Sequence, residues 1–187
     1  MVDLLLQVVY HTLATFLALT YGTFKFSGFR KSVEFFSTAI AFPIGLTVVV
    51  LFWGLYYYDP GTLFKDEEAK DLLLSLSWYN HAIHTAPGLA MILDFGVWKH
   101  PRPAKTKAIK SILIFCILYL IDIHLIYYVS GFWAYPILGQ LAFPFRILFI
   151  VFCTAVIFGA FLIGDVYNSY LLDSTGKQKK AKKQRRD

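Results

Sequence analysis

Charge is scarce in this chain, and so are the residues that build disulfide-stapled folds. Of 187 residues only 16% are charged, and there are just two cysteines. Cys116 and Cys153 both sit in apolar stretches, so they exclude a disulfide framework and read as small buried hydrophobes. No GxSxG nucleophile elbow, P-loop or GxGxxG stretch occurs, which removes the hydrolase and nucleotide-binding classes that depend on those devices. Five histidines are too few for a membrane di-iron desaturase. No internal repeat and no shift in composition marks a second domain.

What fills the chain instead is apolar. Hydrophobic residues make up 57% and aromatics 18%, and the mean hydropathy is +0.56, well above a soluble average. Apolar stretches of about 20 residues recur, the length that carries a helix across roughly 30 Å of hydrocarbon. Five candidate spans follow, at 4–21, 35–58, 72–98, 108–128 and 143–167. The connectors carry turn residues: "DPG" at 59–61, "HPRP" at 100–103 and "YP" at 135–136. The expected fold is an all-α, polytopic membrane helix bundle over residues 1–172. The basic stretch 173–187 is too charged to join a core and is expected to be a disordered cytosolic tail.

The cations orient this bundle. Lys25, Arg30 and Lys31 follow span one; Lys99, Arg102, Lys105, Lys107 and Lys110 follow span three; seven more lie in the tail. Lys65, Lys70 and Arg146 are all that remain for the other side, fifteen cations against three. The C-terminus is therefore expected in the cytosol, and five spans then put the N-terminus outside. The net charge of +6 is accounted for by this asymmetry and by anionic headgroups, and with no soluble domain to organise it, nucleic acid is not an expected partner.

Polar residues inside such spans cost about 2.5–3.5 kcal/mol each on insertion scales, so they are placed in an interior or do work there. Asp3, Gln7, His11, Asn80, His81, His84, Asp94, Asp122, His124 and Asp165 are the candidates. They concentrate in "WYNHAIHT" at 78–85, where Asn80, His81 and His84 project from neighbouring faces of a helix that Pro87-Gly88 should kink. The bland reading is interhelical hydrogen bonding. Two chemistries compete with it. A histidine could serve as general base for a hydroxyl nucleophile, or His81 and His84 could ligate a metal together with His124, Asp122 or Asp94. A non-enzymatic adaptor or a transporter with a polar path through His11, Asp122 and Asp165 also stays open.

Four stretches carry a resemblance: "AFPIGLTVVVLFW" at 41–53, "WYNHAIHT" at 78–85, "SGFWAYP" at 130–136 and "LIGDVYN" at 162–168. In that order and spacing, from about Asp3 to Leu172, the chain resembles the androgen-induced and androgen-dependent TFPI-regulating protein family. The resemblance implies a six-span membrane threonine hydrolase that cleaves fatty acid esters of hydroxy fatty acids, without cofactor or metal, with membrane lipids as its surroundings. It implies His84, the second histidine of N-H-x-x-H, as the catalytic base, with Asn80 and His81 as supporting groups. In the family the nucleophilic threonine lies one helical turn before the residue matching Asp3, which falls before residue 1 here. The expectation is therefore a chain short of its nucleophile and of one upstream span, weakly active or inactive. Thr12 and Thr15 stand roughly 14–18 Å further along the same helix at 1.5 Å per residue. Thr85 follows His84 but points to another face, and Thr38 and Thr47 have no evident base.

Overall fold

A backbone surrounded by hydrocarbon must satisfy its own N–H and C=O groups, and the apolar runs of this chain do so as helices. The computed structural model describes residues 2–21, 27–64 and 66–184; Lys25, Lys65, Arg185 and Arg186 among the orienting cations lie outside the described residues. The helices are α1 (Val2–Leu19), α2 (Ser27–Phe36), α3 (Phe42–Tyr58), α4 (Glu67–Ser75), α5 (Ser77–His84), α6 (Ala86–Trp98), α7 (Lys105–Ser130), α8 (Pro136–Gln140) and α9 (Phe143–Gln184). Among the described residues there is no strand. Four segments are long and apolar enough to cross a membrane: Val2–Leu19, Ser27–Tyr58, Lys105–Ser130 and Phe143–Ser174. The protein is an all-α membrane helix bundle, and the helical backbone of α9 continues past Leu172 into the basic tail.

The expected third span, 72–98, is three short helices laid end to end. The first break is at Leu76 (φ −101°, ψ 55°). There the Ser75 hydroxyl donates to the Leu72 carbonyl at 2.6 Å. The second break is at Thr85, two residues before Pro87, whose ring crowds the carbonyl four residues back and which has no N–H to give. The 13 residues of α6 reach only about 20 Å, short of the hydrocarbon thickness. The five expected spans are thus four long helices and one broken segment.

The segment α2–α3 is the centre of the bundle. In its most apolar window 56% of residues are buried, against 17–22% in the other three, and α3 packs on α9, α6, α1 and α5. Between α2 and α3, residues Ser37–Ala41 widen into a π-helical turn, closed by the Phe42 N–H on the Ser37 carbonyl. Pro43 gives the reason: its ring disfavours the ordinary register at the preceding turn, and a π turn opens the crowded backbone. Glycines then set how closely the neighbours approach. A Cβ on Gly45 would stand 2.8 Å from Gln7 Nε2, and one on Gly88 would stand 2.5 Å from Val49 Cγ2 and 3.3 Å from the Gly45 carbonyl oxygen. These two glycines let α3 and α6 touch through their backbones, as small residues do in membrane bundles. On the other side Phe42 lies over Gly164 of α9 and stacks on Phe95 of α6 with centroids 4.3 Å apart.

Gly88→Ala should therefore force α6 away from α3 and cost about 1–3 kcal/mol, the usual penalty of overpacking. Gly54→Ala, where an added Cβ meets nothing within 4 Å, is the control and should leave the unfolding midpoint in detergent unchanged or slightly raised. Equal midpoints for the two variants would contradict the close α3–α6 contact.

Candidate functional site

His84 ends α5, held there by the break at Thr85, and its ring lies flat on Phe52 of α3, with centroids 3.5 Å apart and planes 10° from parallel. Its Nδ1 is buried with no hydrogen-bond partner among the described residues. The ring lines a cavity of about 270 Å³ enclosed by α1, α3, α7, α8 and α9. The walls are aliphatic and aromatic, and the few polar side chains on them include Asp3, Thr47, Tyr119, Tyr135 and Thr154. Tyr119 and Tyr135 are hydrogen-bonded to each other through their hydroxyls. Asp3 accepts through Oδ1 from Gln7 Nε2 at 3.1 Å, while its Oδ2 is buried without a partner among the described residues. Gln7 also donates to the Ala41 carbonyl at 3.0 Å, which ties α1 to the π-helical turn.

The other members of the motif go elsewhere. Asn80 is buried, at 2% exposure, and does not line the cavity. His81 is exposed; its ring lies over Trp53 at 4.7 Å, and its Nδ1 is 3.1 Å from the Thr85 hydroxyl. Trp53 Nε1 donates to that same hydroxyl at 2.9 Å. The two histidines of N-H-x-x-H therefore part company, His84 toward the cavity and His81 toward Trp53 and Thr85. Sequence reasoning assigned no role to Trp53, and the only signal for it was the aromatic run "FWGLYYY" at 52–58 on α3.

Residues offered as companions of the histidines are dispersed. Asp94 Oδ2 accepts from the Tyr10 hydroxyl at 2.6 Å and faces His100 Nε2 at 2.7 Å. His124 Nδ1 donates to the Leu120 carbonyl at 2.7 Å, and Asp122 is exposed. Among the described residues no three His, Cys, Asp or Glu side chains gather closely enough to hold a metal ion together. His11 Nε2 is buried without a partner among the described residues, whereas Asp165 is ion-paired to Arg102 through two bonds, 2.7 and 2.5 Å, with Lys105 at 3.7 Å.

The buried cluster around Asp94 is the feature that sequence reasoning missed most completely. Tyr10 from α1, Asp94 from α6 and His100 from the following loop meet in the core, and Asn168 of α9 donates to the His100 carbonyl at 2.5 Å. Tyr10 and His100 are 1% and 6% exposed. "HPRP" reads as a surface loop, so nothing in the local sequence says that its histidine turns inward.

Comparisons with known proteins place this geometry in a family. The sequence model of the FAR-17a/AIG1-like protein family matches residues 1–169. The androgen-induced gene 1 protein of Homo sapiens is 28% identical over 135 residues, covering 72% of this chain and 56% of that protein. The androgen-dependent TFPI-regulating protein of Mus musculus is 27% identical over 148 residues, 75% of this chain and 63% of its own length. Its Homo sapiens counterpart is 24% identical over 146 residues, covering 78% and 62%. The chain thus spans somewhat over half the length of these relatives. No solved structure matches it.

The Asp94 cluster carries a prediction of its own. Tyr10→Phe removes one of two donors to Asp94 and should cost about 1–2 kcal/mol. Asp94→Ala leaves both Tyr10 and His100 without their acceptor and should cost about 3–5 kcal/mol. Unfolding midpoints in one detergent rank the two; similar losses would mean that Asp94 is not the hub.

Proposed function

The chain belongs to the FAR-17a/AIG1-like protein family, and from that premise we propose that it is built as a membrane hydrolase for fatty acid esters of hydroxy fatty acids, with His84 as its general base. It is an integral, multi-pass membrane protein of that family. The observation that carries the hydrolase reading is the unpartnered, buried Nδ1 of His84 on the wall of an apolar cavity. A buried polar atom without a partner is costly and calls for a bound group to satisfy it. An aliphatic and aromatic lining suits acyl chains, which reach the bundle by lateral diffusion through the bilayer.

In this reading His84 takes the proton of a threonine hydroxyl, whose oxygen attacks the ester carbonyl. The alcohol leaves with that proton, and water then releases the acid from the acyl-enzyme. The threonine is the one expected a helical turn before Asp3, a position this sequence does not include. Asp3 lines the same cavity as His84, and on any helix a residue one turn earlier lies on the same face. Asn80 and His81 support His84 and do not touch the ester. The cationic loops and tail support a cytosolic C-terminus in this reading, with the plasma membrane or the endoplasmic reticulum as the compartment.

Covalent labelling with a fluorophosphonate probe tests this. A form extended upstream through the threonine-bearing turn should label in native membranes, with His84→Ala lowering the rate by about 10²–10⁴-fold. The 187-residue chain should label feebly or not at all. Labelling that His84→Ala leaves untouched would overturn the assignment.

A further inference from the structure

Thr85 occupies the N-cap of α6, the position where a threonine hydroxyl ordinarily accepts a backbone N–H of the first turn, yet its side chain makes no cap bond. The hydroxyl faces away from the helix instead, to Trp53 Nε1 at 2.9 Å and His81 Nδ1 at 3.1 Å. An indole N–H can only donate, so the Thr85 oxygen accepts from it, and the hydroxyl can still either donate to or accept from the imidazole nitrogen, according to the His81 tautomer. The His81 ring, in turn, lies over the Trp53 indole. One residue back along α3, Phe52 carries the His84 ring flat on its face. Two consecutive aromatics of α3 thus grip two histidines one helical turn apart, and the grip falls on the α5–α6 break.

α5 is hinged at both ends, at Leu76 and at Thr85, and the Thr85 hinge lies next to His84. Two backbone bonds cross it, the Thr85 N–H to the His81 carbonyl at 3.0 Å and the Leu89 N–H to the Thr85 carbonyl at 3.1 Å. Pro87 has no N–H for the Ile83 carbonyl, so the backbone holds the angle at which α5 delivers His84 less firmly than a continuous helix would. We propose that Trp53 is a positioning residue for His84: through the Thr85 hydroxyl and the His81 ring it locks the α5–α6 junction, and the lock keeps the His84 ring flat on Phe52 and turned to the cavity. The inference rests on the hydrolase reading for its purpose and on the junction geometry for its content. A misplacement of about 1 Å at a reacting group can cost about 10²-fold in rate, which is the scale such a lock protects.

The test reads His84 directly and needs no substrate. The 187-residue chain, with its histidines carbon-13 labelled at Cε1, is placed in lipid nanodiscs, and the five histidine signals are assigned with single His→Gln variants. Stacking on Phe52 should displace the His84 signal upfield. Trp53→Phe and Thr85→Val should each abolish that displacement, the double variant should do no more than either alone, and Thr85→Ser should retain it. The His100 signal, buried in the separate Asp94 cluster, should hold still throughout. If Thr85→Val disturbs His100 as well, Trp53→Phe decides alone, because it keeps an aromatic ring in place. A His84 signal that stays displaced in Trp53→Phe overturns the proposal. So does a fluorophosphonate adduct recovered on Thr85, since that residue would then be a nucleophile and not a lock. Absence of His84-dependent labelling in the upstream-extended form, with these shifts retained, would sink the hydrolase reading and leave the lock standing.

Discussion

Two prolines, Pro43 and Pro87, remove backbone donors from a chain that has no water to replace them, and much of the fold is arranged around those two gaps. Each lies next to a disturbance of the helix, the π-helical turn at Ser37–Ala41 and the break at Thr85. Each is also followed within two residues by a glycine, Gly45 and Gly88, and these two glycines meet across the α3–α6 crossing. The irregular backbone is thus kept inside the protein, pressed against another helix, where its polar groups can be met. Gln7 reaching the Ala41 carbonyl beside Gly45 is one such meeting. The position of His84 at the end of α5 follows from the same constraint, because the helix that bears it stops where Pro87 obliges it to stop.

Around this frame the polar side chains divide into two populations. One joins helices: Tyr10 and His100 meet on Asp94, Asn168 donates to the His100 carbonyl, and Arg102 holds Asp165, across α1, α6, the 99–104 loop and α9. These groups fasten helices that have little hydrophobic reason to associate in lipid. The other population has buried atoms without a partner among the described residues; of these, Asp3 Oδ2 and His84 Nδ1 belong to residues that line the cavity, whereas Gln7 Oε1, His11 Nε2, Arg146 Nε and Asn168 Oδ1 belong to residues that do not. His100 and His84 are both histidines in an apolar chain, and only the surroundings distinguish them.

The sequence declared the bundle openly, because hydropathy over 20-residue windows is a local property. The kink at Pro87-Gly88 was legible for the same reason, as were the connectors at 59–61 and 100–103. The break at Leu76 was not, since no proline or glycine stands near it to signal one. Nor could 3.6-residue periodicity reveal that His81 and His84 part toward different aromatics of α3, or that Trp53 and Thr85 meet from 32 positions apart. Asp94 was singled out as a possible metal ligand because its charge is conspicuous in an oily helix. Its actual partners, Tyr10 and His100, lie 84 and 6 positions away. Pairings at such separations are settled by packing, and a single sequence does not display packing.

The π-helical turn has an effect on angle as well as on hydrogen bonding. One extra residue in a helix turns everything downstream by about 100° relative to everything upstream. The 32 residues from Ser27 to Tyr58 are therefore continuous in length but offset in phase. The α2 half faces α1, and the α3 half is turned to meet α9 and α6. The central rod of the bundle works as a keyed shaft, two sections on one axis cut to fit two different sets of neighbours. Its five-residue collar fixes the angle between them.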